Sequence, residues 1–243
     1  QAPVFIYSVA SRDARAMARC VGRALAFRPR PEFVIPGFRP PPIRKSPKTV
    51  TETADLAQTR IVMGFRVRGF REHSDGYPGA LADLIFGGDA VSRLFKSIRE
   101  KKSLAYGIGS SFDDRTGVLL VSAGVQRKAI REVQSSVLAE VKSMAQGRID
   151  AKAKDVAMRS LTRSFDGVHD SADSLIAFHL MRRLAEYREK TLDEMLDRFR
   201  QVTFDQMADV FGRLVLDTVF VLSERPGAKT VDVDSHGGGE NAP

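Results

Sequence analysis

Apolar and polar positions alternate over Gln58–Val67, with Ile61, Met63, Phe65 and Val67 on one side and Arg60 and Arg66 on the other. A period of two predicts a β-strand with one face on a core. The runs Leu104–Phe112 and Val118–Val125 flank Asp113-Asp114-Arg115-Thr116-Gly117, which predicts a hairpin. Thr218–Leu222 and Val4–Ser8 complete the expected strands. Spacing of three and four through Ala16, Met17, Cys20, Val21, Ala24 and Leu25 predicts a helix, with Asp13 or Ser11 as its N-cap. Leu81, Leu84 and Ile85 predict another over Tyr77–Phe86, which Gly87-Gly88 is expected to end as a left-handed C-cap. A short helix follows over Ser92–Lys101, and from Lys128 onward the pattern is helical for a long way. Asp150 marks one helix start there, and Thr191 to Glu194 and Thr203 to Gln206 both have the spacing of a reciprocal capping box. The expected architecture is α+β, a mostly antiparallel sheet with helices packed on one face.

Most of the prolines fall between Pro29 and Pro47; such a stretch cannot supply regular backbone donors and is expected to run as a stiff connector. The glycine-rich stretch from Pro226 to Pro243 is too polar to pack and is expected to be disordered. The chain opens on Gln1 and passes almost at once into a strand-like run, so it is expected to begin inside a domain, as a fragment or processed product. No run approaches the roughly 20 apolar residues that a membrane helix needs, and membrane insertion is not expected. The lone Cys20 cannot form an internal disulfide and is expected to act as a small buried hydrophobe. Net charge is +8, which raises the question of nucleic acid. Basic residues are nevertheless interleaved with acids, as in Arg182–Lys190, the pattern of a solvated helix face. No nucleic-acid-binding motif accompanies them.

Taken as bare residues, Arg99 near the end of a short helix and Tyr106 just inside the next strand read as a surface cation and a half-buried ring. The segment around them says more. Gly87-Gly88, the helix start Ser92-Arg93-Leu94-Phe95, the helix end Arg99-Glu100-Lys101 and Leu104-Ala105-Tyr106 match, in order and spacing, the C-terminal-half signature of the pitrilysin, or insulinase-like, zinc metallopeptidases. Gln58-Thr59-Arg60 leading to Gly64 resembles the first strand of that domain, and Val202–Met207 resembles its valine-threonine helix entry. The resemblance is nearest to the inactive or accessory bacterial members. It implies a closing strand and helix of a preceding domain over residues 1–26, a linker over 27–50, the pitrilysin-like C-terminal domain over 51–225 and a tail over 226–243.

It further implies that Arg99 and Tyr106 hold the substrate peptide, while zinc lies in an upstream half or a partner subunit. Both side chains are donors suited to a peptide carbonyl, and arginine keeps its charge near neutral pH. The family's H-x-x-E-H motif is absent; His73, His169, His179 and His236 are scattered, none at ligand spacing. No catalytic residue, cofactor or metal is therefore expected in this chain. Three readings stay open: the substrate-holding, non-catalytic half of a zinc-metallopeptidase-like protein; a catalytically silent scaffold subunit of a pitrilysin-like complex; and a basic RNA-binding module. The expected partners are a peptide and another pitrilysin-like domain, with neither nucleic acid nor membrane, in the cytoplasm.

Overall fold

A computed structural model describes residues 4–25, 41–185, 188–189 and 191–225. Most of the proline-rich connector, part of the Arg182–Lys190 run, the C-terminal tail and His236 lie outside the described residues, as does the side chain of His73. The chain divides into two compact units: residues 1–41 with 154–201, and residues 42–153 with 202–243.

The second unit is built on a five-stranded sheet: β1 (Lys48–Ala54), β2 (Thr59–Val67), β3 (Ala105–Asp113), β4 (Val118–Val125) and β5 (Leu214–Glu224), in the order β1-β5-β2-β4-β3. β2 runs antiparallel to both β4 and β5, and β1 is parallel to β5. The expected alternation of β2 is realised: Ile61, Met63, Phe65 and Val67 are buried, while Arg60 points to solvent. Leu119, Val121, Ala123 and Val125 of β4 and Val219 and Val221 of β5 extend that buried face. Against it pack α2 (Glu72–Asp83), the helical segment Phe95–Lys101, α3 (Ile130–Ala145) and α7 (Phe204–Gly212), with α7 in contact with both α2 and α3. Phe86 and Phe211 meet edge to face at 5.1 Å in this layer, both almost fully buried. Burying a side chain of this kind contributes roughly 1.5–3 kcal/mol. The capping box of α7 is complete: Gln206 N–H donates to Thr203 Oγ1, and Thr203 N–H donates to Gln206 Oε1.

An ion network fixes α2 to α7. Asp75, 2% exposed, accepts from the backbone N–H of Arg71 at 2.8 Å and pairs with Arg71 at 3.1 Å and Arg213 at 2.9 Å, and Arg213 also pairs with Asp209 at 2.9 Å.

The other unit holds α1 (Ala14–Ala24), α5 (Ala172–Ala185), α6 (Leu192–Gln201) and all but the start of α4 (Ala151–Asp166). Asp13 caps α1 through the N–H of Ala16. Thr191 accepts from Glu194 N–H at the start of α6. Phe165 of α4 and Phe199 of α6 pack edge to face at 6.3 Å. None of the described helices is long and apolar enough to cross a membrane.

Three local expectations need correction, and one strand was not predicted. Val4–Ser8 is not a strand: none of the five strands lends it a ladder, and Val4 and Ile6 are exposed. Cys20 is exposed, because Met17 and Val21 are the α1 side chains turned partly inward. Gly87-Gly88 is no left-handed cap, since among the described glycines only Gly69, Gly117 and Gly147 have positive φ. The helix instead widens into a π-turn over Leu84–Gly88, and a Cβ on Gly87 would lie 2.8 Å from the backbone nitrogen of Ser110. Glycine is required there for close approach to β3. Finally β1, an edge strand with little buried surface, lacks the apolar alternation that marks the other strands.

Candidate functional site

The helix that carries Arg99 is clamped to α3 at both ends. At its start Arg93 pairs with Glu140 at 2.9 Å and donates to Ser143 Oγ at 2.7 Å and to the carbonyl of Arg148. At its end Lys102 donates to Ser136 Oγ at 2.8 Å. The last turns, Phe95–Lys101, are wound as π-helix, with Leu94 and Ile98 fully buried beneath them. Arg99 is exposed on this segment and stacks its guanidinium over the Phe95 ring at 4.4 Å. That cation–π contact restrains the side chain of an exposed residue.

The chain then reverses in two residues. Ser103 N–H donates to the carbonyl of Arg99 at 3.1 Å and Leu104 N–H to that of Ile98 at 3.0 Å, closing the helix end. This closure needs a left-handed residue, and Ser103 occupies it at φ 51°, alone among the described non-glycine residues. A non-glycine residue held there costs of order 1 kcal/mol.

Tyr106 follows at once, and it is a bulge residue. Ala105 pairs with Val125 and Gly107 with Gly124, so Tyr106 has no partner on β4. The extra residue shifts the parity of the strand: Ala105 and Ile108, three apart, both face the core, and Tyr106 and Gly107 both face out. A bulge re-aims a side chain in this way. Tyr106 is 57% exposed, more open than the half-buried ring expected from the sequence alone, and its hydroxyl accepts from Gln126 Nε2 at 3.4 Å.

Arg99 and Tyr106 thereby line one open cleft of about 720 Å³, together with Ser103, Leu104, Ala105, Gln126, Lys128, Ala129 and Glu132. The pair was legible in the sequence, but the far wall, Gln126 to Glu132, was not. Its only signal is that it lies at the chain's turn from β4 into α3, directly beside the start of β3.

A buried carboxylate anchors the other end of β3. Asp83, at the end of α2, accepts from Ser110 Oγ and from the backbone N–H of Phe112 at 3.1 Å. Burial pushes its carboxyl up to about 6, against the lowering effect of those two hydrogen bonds. Among the described residues no group of three or more His, Cys, Asp or Glu is assembled that could hold a metal ion.

The family described as the peptidase M16 inactive domain matches residues 4–161. The chain belongs to that family. Among curated relatives of this M16 domain, Bacillus subtilis YmfF, named a probable inactive metalloprotease, is 28% identical over 185 residues, 75% of this chain and 42% of its own length. An uncharacterized zinc protease of Rickettsia bellii is 35% identical over 96 residues, 38% of this chain and 23% of the Rickettsia protein. A conserved protein of Enterococcus faecalis has the same fold at a TM-score of 0.71 and 26% identity, over 76% of this chain and 44% of that one. The M16 inactive domain of Pseudomonas fluorescens superposes at 0.68 over 91% of this chain and 53% of its own, at 18% identity, a likeness of fold. The M16 domain described here thus spans less than half the length of the curated relatives it matches, and as a member of the inactive-domain family it is a non-catalytic one.

Proposed function

We propose that this M16 domain holds an extended peptide through Arg99 and Tyr106 while a zinc-bearing M16 domain, upstream in the same polypeptide or in a partner subunit, cuts it. The observation that supports this reading is the convergence of two outward-facing donors on one open cleft, where a helix end and a bulged strand meet. Both groups donate to a carbonyl oxygen, and a guanidinium retains its charge as the oxygen becomes negative. The hydrogen bond from Gln126 occupies a lone pair of the phenol oxygen and leaves the phenol's own proton free to be given. A donor aimed at a developing oxyanion is worth about 3–4 kcal/mol in other enzymes. The pair would assist hydrolysis without performing it.

The test is Arg99→Ala combined with Tyr106→Phe, assayed as peptide turnover by the protein assembled with its catalytic domain. The expected result is a loss of about a hundredfold or more, with the circular dichroism spectrum unchanged because both side chains are exposed. Turnover equal to wild type would remove the substrate-holding role and leave the scaffold reading in its place.

A further inference from the structure

We propose that the helical unit carries a second binding site, for a carboxylate-rich polypeptide segment, where Arg159 and Arg163 of α4 face Arg200 of α6. These three residues line an open cleft of about 350 Å³, and the other lining residues are Met158 and Thr162. No acid lines it. Arg200 holds Asp197 through one nitrogen at 2.6 Å, and Arg159 and Arg163 have no ion pair among the described residues.

This concentration of positive charge is not the overflow of a basic segment. Between Lys154 and Gln201 nine lysines and arginines are matched by nine aspartates and glutamates. Arg159 and Arg163 stand one helical turn apart, where like charges repel by about 0.2–0.5 kcal/mol. A bound anion would reverse the sign of that term. The geometry is also held in place: Phe165 and Phe199, next to the cleft in sequence on α4 and α6, pack edge to face and fix the two helices against each other.

The chemistry of the lining selects the ligand. Thr162 turns its hydroxyl back to the carbonyl of Met158 at 2.9 Å, so the donors offered to the cleft are guanidinium N–H groups. Their planar forks match carboxylates in bidentate fashion. No ring lines the cleft to stack a base, and its volume suits one or two anionic side chains better than a nucleic-acid strand.

The experiment uses the full chain and a fluorescently labelled hexaglutamate peptide, followed by anisotropy near 0.15 M salt. Wild type should bind, Arg159→Ala with Arg163→Ala should weaken binding at least about tenfold, and the double lysine variant should fall between them, having kept charge but lost the fork. Arg60→Ala, at an exposed position in the other unit, should leave binding unchanged. Equal binding by wild type and the double alanine variant overturns the proposal, as does loss of binding in Arg60→Ala. Displacement of the peptide by equimolar inorganic phosphate, or tighter binding of oligouridine lost in the same alanine variant, overturns the choice of a carboxylate ligand.

Discussion

Asp83 gives a pH signature that can be worked out in advance. Its carboxyl rises from 3.8 to about 6 in the folded protein, so folding favours its protonated form. Below about 3.8 the group is protonated in both states and imposes no penalty. As pH rises towards 6 the unfolded chain releases the proton and the folded one holds it. Stability therefore falls through this window and levels off once both states are ionised. A difference of this size corresponds to about 3 kcal/mol. Asp83→Asn keeps an acceptor for the N–H of Phe112 but cannot ionise. Urea denaturation followed by far-UV circular dichroism suits a chain without tryptophan. Measured from pH 4 to pH 7, the stability of the variant minus that of wild type should rise by about 2.5 kcal/mol, other titrations cancelling in the difference. A difference that stays flat across this range would refute the account of Asp83 as a carboxylate penalised by burial.

Two further outcomes follow from the geometry. Ser103→Gly should raise stability by about 1 kcal/mol by relieving the left-handed serine, and Ser103→Val should lower it, both read from thermal melts. Asp75→Ala should cost about 3 kcal/mol in urea denaturation, because it strips a buried carboxylate from Arg71 and Arg213, although Asp209 remains to hold part of the charge.

The sequence revealed those parts of the fold whose cause is local. The alternation of β2 survives because one face rests on the core, and the Thr203–Gln206 box is complete within four residues. The features that were not legible depend on distant partners. Val4–Ser8 has the apolar content of a strand, but strand status needs a neighbour's hydrogen bonds. β1 has threonines and a valine and little buried surface, so only its β-branched composition marked it. Gly87 looked like a helix stop because its reason, the nearness of Ser110, is 23 residues away. At the candidate site Arg99 and Tyr106 were singled out by the resemblance of their segment to the pitrilysin signature, since as bare residues they read as an ordinary surface cation and strand ring. The bulge that turns the tyrosine outward depends on the register with β4, which no pattern within β3 encodes.

β5 lies between β1 and β2, although it is the last of the five described strands to be synthesised. Lys48–Ala54 touches the sheet only through it, so β1 must wait roughly 160 residues of elongation for its neighbour, about 10–30 s at about 5–20 residues per second. During that interval β2 also presents an open edge carrying Ile61, Met63 and Phe65. A polypeptide truncated before Leu214 would keep that edge permanently and be prone to self-association.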